Sequence, residues 1–145
     1  MKSLAASWQF WALLSACFAA LTAIFAKVGV ENVGADFATL LRTIVVVLAL
    51  VAIVTATGGW QSLDTISGRS ALFLVLSGLA TGASWVCYFR ALKVGDAARV
   101  APLDKLSVVL VAVFAAVFLG EKLAPLNWLG IALIAGGGVL VAYKV

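Results

Sequence analysis

The chain has no histidine, only two cysteines and two prolines, and six acidic residues against ten basic ones in 145 positions. Without histidine there is no Ser/His/Asp or Cys/His set for nucleophilic catalysis, and no mixed Cys/His cluster for zinc or haem. Cys17 and Cys87 stand alone in apolar stretches; nothing in their spacing supports a disulfide or a metal site, and they read as small buried residues. No glycine-rich loop ends in Lys-Ser or Lys-Thr, which removes the basis for ATP-driven work by this chain. No internal repeat is visible. No reactive constellation can be assembled beyond the neighbours Asp104 and Lys105, so the sequence predicts a protein that is not an enzyme and has no catalytic residue, cofactor or metal.

Charge itself is scarce. Charged residues make up 11% of the chain, where a soluble domain carries roughly a quarter. The net charge of +4 is spread singly around the ends of apolar stretches, so no basic patch for nucleic acid is formed. What fills the chain instead is hydrocarbon: 65% hydrophobic residues and a mean hydropathy of +1.19. The expected solvent is a lipid bilayer, specifically the inner membrane of a cell.

Five apolar runs are legible, at roughly Trp8 to Val30, Asp36 to Thr57, Ser70 to Leu92, Ala98 to Leu119 and Pro125 to Tyr143. Each is near the ~20 residues a helix needs to cross the hydrocarbon core. The predicted fold is an all-α integral membrane protein, one five-helix transmembrane domain over 1–145, with antiparallel neighbours joined by short connections. The first run begins after Lys2 much as a secretory signal does, but it is too long for one, and Trp8 and Trp11 sit where interfacial anchors belong. It reads as a span. Gly120-Glu121-Lys122 followed by Pro125 reads as a helix stop, a turn and a proline start. Five is odd, so the two ends lie on opposite sides.

Orientation is weakly specified. The amino-terminal side carries Lys2, Arg69 and Lys122, and the other side carries Lys93, Arg99 and Lys144, three against three. Lys27, Arg42, Arg90 and Lys105 lie in that second side's portions of their helices and tip the count to seven against three, placing that side in the cytoplasm. Lys27 and Arg90 read as long side chains snorkelling to the headgroups. Arg42 and Asp104 lie deeper, which favours a protein-facing or cavity-lining role, and a mutual ion pair would neutralise both. A different reading of Asp104 is that span four starts at Ala101, with Pro102 in its first turn and the acid complementing the helix dipole. Lys105 is rotated about 100° from Asp104, so one of them faces a different neighbour.

Span three carries Ser77, Thr81, Ser84 and Tyr88 at spacings of four, three and four, which is one helix face, with Trp85 beside it. Trp11, Ser15, Phe18, Thr22 and Phe25 or Ala26 share a face of span one. Hydroxyls with aromatics make a wall for a modest organic solute, and the same residues are those with which membrane helices pack. In span five, Gly130 and Gly136-Gly137-Gly138 mark a surface for close approach of another helix.

Three stretches together resemble the EamA-type unit of the drug/metabolite transporter superfamily: YFRALKVGDAARVAPLDKLSVV from Tyr88 to Val109, FLGEKL from Phe118 to Leu123, and NWLGIALIAGGGVLVA from Asn127 to Ala142. The resemblance in span order extends over nearly the whole chain. It implies half of an inverted-repeat transporter, since most relatives look like two such units fused with opposite topology. A single unit would then work as an antiparallel homodimer in the bilayer, moving a small metabolite or drug-like solute by alternating access. The related small multidrug resistance proteins use a glutamate within their first span; here no acid precedes Glu31 at the far end of that span, a departure from proton-coupled export of cationic drugs. The residues expected to bind the solute are Arg42, Thr81, Ser84, Trp85, Tyr88, Asp104 and Lys105, and the excess of basic groups suggests an anionic substrate. Two other readings remain open, a non-transporting subunit that binds another membrane protein and a passive channel.

Overall fold

A computed structural model describes residues 7–143; Lys2 and Lys144, counted above for orientation, lie outside them. Five helical spans run Trp8–Gly29, Ala35–Thr57, Gly68–Val94, Ala97–Leu119 and Pro125–Ala142. These agree closely with the apolar runs because hydrocarbon offers the backbone no hydrogen-bond partner, so each run must satisfy its own N–H and C=O groups as helix. The first three spans and the last are single helices: α1 (Trp8–Gly29), α2 (Ala35–Thr57), α3 (Gly68–Val94) and α6 (Pro125–Ala142). The fourth is divided into α4 (Ala97–Asp104), α5 (Ser107–Phe114) and a wider π turn over Ala115–Leu119.

Local chemistry sets the ends. Ser7 Oγ accepts the Phe10 N–H at 3.2 Å and Ser67 Oγ accepts the Ser70 N–H at 3.1 Å, filling orphan donors at the starts of α1 and α3. Pro125 opens α6, where its missing N–H costs nothing. Gly58 and Gly120 adopt left-handed φ of 64° and 68° and close the second and fourth spans. The Glu121 N–H then reaches back to the Ala115 carbonyl at 3.1 Å, capping a freed acceptor.

The molecule forms two compact units, one from the chain up to Phe25 together with Val94 onward, the other Ala26–Lys93. In the first, α6 packs against α4 and α5. Pro102 lies in the interior of α4, so the fourth span begins at Ala97 and not at Ala101. This overturns the first-turn reading of Asp104, which is instead the last residue of α4. The physical reason is the proline: it removes a donor and crowds the preceding turn, and the helix is interrupted soon after it. The Leu106 N–H bonds the Leu103 carbonyl at 3.1 Å, three residues back, and Val108 and Val109 bond Lys105 and Leu106 in the same tightened manner at 3.0 Å. The Pro102 carbonyl faces Gly138 of α6, where a Cβ would stand 3.1 Å from that oxygen and 3.4 Å from Leu106 Cδ2. Gly138 is buried, and its missing side chain is what lets the two backbones meet.

The second unit closes differently, through long side chains at one end of α1, α2 and α3. Lys27 Nζ donates to the Leu92 carbonyl at 2.8 Å, and Lys93 Nζ donates to the Val33 carbonyl at 2.6 Å. Arg90 grips Asp36 with two parallel bonds, Nε to Oδ1 and Nη2 to Oδ2, both 2.8 Å. Snorkelling of Lys27 and Arg90 is therefore corrected: both turn to protein acceptors, because a late-helix carbonyl and a first-turn carboxylate lie within their reach. Beneath this clasp Val30 and Leu92 are fully buried, with Ala26, Ala38, Thr39 and Phe89 also enclosed. Cys17 and Cys87 are corrected too, since both are free and exposed, as suits thiols on lipid-facing helices.

Two outcomes follow for stability. Gly138→Ala should cost about 1–3 kcal/mol by forcing backbone against backbone, read as a lower thermal midpoint in detergent, whereas Gly136→Ala meets open space and should leave the midpoint unchanged or raised. Asp36→Asn should lower the midpoint, and the exchanged pair Asp36→Arg with Arg90→Asp should recover part of the loss.

Candidate functional site

The anticipated solute residues fall into two groups. Arg42, Thr81, Ser84, Trp85 and Tyr88 belong to the second unit; Asp104 and Lys105 belong to the first. Each group has its own local chemistry.

In the second unit, α2 presents Ala38 and Thr39 as buried residues, and Arg42 follows four and three positions later on the same face. Its guanidinium carbon stands 4.0 Å from the centroid of the Trp85 ring and 5.5 Å from that of Phe89. Trp85 and Phe89 are four apart on α3 and so form one continuous aromatic wall, with Tyr88 close enough to interact with the Arg42 charge. Arg42 is the eighth residue of α2, placing its backbone about 10 Å along the span at 1.5 Å per residue. An arginine deep in a bilayer costs on the order of 2.5–3.5 kcal/mol by insertion scales, while a desolvated cation–ring contact returns up to about 2 kcal/mol. The rings therefore offset much of the cost but leave a charge seeking an anion.

No carboxylate of its unit supplies that anion. Both Asp36 oxygens are taken by Arg90. Among the described residues Asp104 is paired with Lys105, Nζ to Oδ2 at 3.4 Å. Arg42 and Asp104, expected as a pair, belong to different units. Asp104 and Lys105 meet despite their rotational offset because the helix is interrupted between them and Ser107, and the long lysine chain bends back.

The hydroxyl stripe of α3 is only partly engaged. Thr81 Oγ1 donates to the Ser77 carbonyl at 2.8 Å, and Ser77 and Ser84 are exposed, whereas Trp85 and Tyr88 are half-buried. On α2, Thr39 and Thr43 likewise donate to carbonyls four residues back, at 2.8 and 2.7 Å. Such back-bonding uses the hydroxyl hydrogen and leaves the oxygen as an acceptor. Phe89 and Thr39 were not among the sequence-derived candidates. The signal for Phe89 was its i+4 spacing from Trp85; for Thr39 it was the i+3 spacing to Arg42.

In the first unit a cavity of about 260 Å³ opens beside the start of α4, lined by Val94, Gly95, Asp96, Arg99, Val100, Leu103 and Ala142. None of the anticipated residues lines it. Among the described residues no group of histidine, cysteine, aspartate or glutamate is arranged to hold a metal ion.

Residues 6–143 match the EamA-like transporter family. A protein of Sinorhizobium sp, described as "Uncharacterized transporter in cobO 3'region", is 68% identical over 136 residues, covering 94% of this chain and 96% of the relative. The relative is thus of nearly the same length as this chain. No solved structure matches. With a helical, multi-pass architecture suited to a bacterial inner membrane, and a family match spanning all five helices, the chain belongs to the EamA-like transporter family.

Proposed function

We propose that this protein is a secondary transporter subunit that moves a small metabolite or drug-like solute across the inner membrane by alternating access, as an antiparallel pair of identical chains. The observation that carries this reading is the family match over a unit with an odd number of spans. Transporters of this general build place the solute between two halves inverted in the membrane plane. One five-span unit supplies one half, and a second copy inserted the other way round supplies the other. The basic residues at or beyond the helix ends, three on each side, favour such dual insertion. The Sinorhizobium relative, matched over 96% of its own length, supports it as well.

Large apolar side chains stay exposed along every span, from Trp8 and Leu13 in α1 to Leu133 and Leu140 in α6. Lipid covers most of that surface, and Gly130, Gly136 and Gly137, which meet nothing within 4 Å, offer α6 to a partner helix. In this reading Arg42, Trp85, Tyr88, Ser84 and Thr81 face the solute. Asp104 and Lys105 mark the interruption of the fourth span, where non-ideal backbone is tolerated if it is buried in protein or lines a water-filled route. No catalytic residue, cofactor or nucleic acid enters the scheme.

Reporter fusions at each end, scored for cytoplasmic and periplasmic activity, should reveal two populations of opposite orientation. Native mass spectrometry from lipid discs should give a dimer. A single fixed orientation would remove the antiparallel pair. Saturable counterflow in reconstituted vesicles is expected; non-saturable flux would favour a channel, and a stable complex formed only with a foreign membrane protein would favour a non-transporting subunit.

A further inference from the structure

Within its own unit Arg42 donates no hydrogen bond and forms no ion pair; its contacts there are ring faces. Every other basic side chain near that end of the second unit has a protein acceptor: Lys27 on Leu92, Lys93 on Val33, and Arg90 on Asp36. Arg42 is also the one among them placed well inside a span. Among the described residues no buried side-chain nitrogen or oxygen lacks a partner, so the Arg42 nitrogens retain accessible surface. With its guanidinium carbon 4.0 Å from the Trp85 ring centroid and no hydrogen bond made within its unit, Arg42 has N–H groups to offer to the two oxygens of a carboxylate.

We infer that Arg42 is the anion-binding residue of the solute site and that the solute is a small organic monoanion, a carboxylate with an apolar body. The inference rests on the transporter reading above and deepens it. One uncompensated positive charge calls for one negative charge, and a phosphate dianion would need a second cation that the bidentate Arg90–Asp36 pair does not release. The apolar body is indicated by the wall on which the charge sits. Trp85, Tyr88 and Phe89 occupy one side of α3, two of them half-buried and the third buried, while Thr39 and Thr43 have spent their hydroxyl hydrogens on their own helix. The anion would lie edge-on to the guanidinium, with its hydrocarbon part against Tyr88 and the uncovered part of Trp85. An anionic lipid headgroup is disfavoured because the guanidinium lies against the rings of Trp85 and Phe89 on α3.

The test uses full-length protein in phosphatidylcholine discs, titrated calorimetrically with acetate, hexanoate, benzoate, benzamide and inorganic phosphate. At least one of the two larger carboxylates should bind saturably and more tightly than acetate. Benzamide, the neutral counterpart of benzoate, should bind at least tenfold more weakly than benzoate. Arg42→Gln should weaken the favoured carboxylate at least tenfold while keeping helix content and dimer mass, and Arg42→Lys should recover part of the loss. Saturable binding by none of the carboxylates, equal binding of benzoate and benzamide, tighter binding of phosphate, or wild-type binding by Arg42→Gln would each overturn the inference. Vesicle flux of the same carboxylate separates the two ideas. Arg42-dependent binding without flux would sink transport and keep the site, whereas saturable flux indifferent to Arg42→Gln would keep transport and sink the site.

Discussion

Hydrocarbon supplies no hydrogen bonds, and the structure depends on that constraint. It forces the five apolar runs into helices, since only a helix satisfies the whole backbone within one segment. It also makes each departure from regular helix, and each charge within a span, a place where protein must stand in for water. There are few such places here. They include the interruption after Pro102, the Lys27, Lys93 and Arg90 clasp, and Arg42 over the Trp85 ring.

The two units answer the constraint in different ways. Around α4 and α6 the solution is close approach, with a glycine at 138 letting one backbone lie on another's carbonyl. Around α1, α2 and α3 the solution is reach, with lysine and arginine chains extending to carbonyls and a carboxylate near the helix ends. On the α2–α3 face of that unit the aromatic wall and Arg42 are found.

Much of the architecture was legible beforehand. Length and hydropathy gave five spans whose ends differ from the observed ones by one or two residues, and the family resemblance carried by the stretches after Tyr88 was met by the match over residues 6–143. The fourth span was harder to read. The apolar run was read from Ala98, but an alternative start at Ala101, with Pro102 in the first turn, stayed open because the sequence does not say where a helix starts when good helix formers such as Ala97 and Ala98 precede the proline. Lys27 and Arg90 were taken for snorkelling chains because their acceptors, the Leu92 carbonyl and Asp36, are 65 and 54 residues distant in sequence.

The residues alone determined the solvent, the number of crossings and the absence of histidine chemistry, because transfer from water to lipid is a sum over side chains and backbone that needs no knowledge of neighbours. They also placed Arg42 and Trp85 on their helices. Which charge found which partner was decided only by tertiary structure. Within the second unit Asp36 went to Arg90 and Arg42 to the face of Trp85; within the first, Asp104 went to Lys105. Pairing depends on distances of a few ångströms between helices, and helical periodicity fixes the direction of a side chain without fixing what stands opposite it.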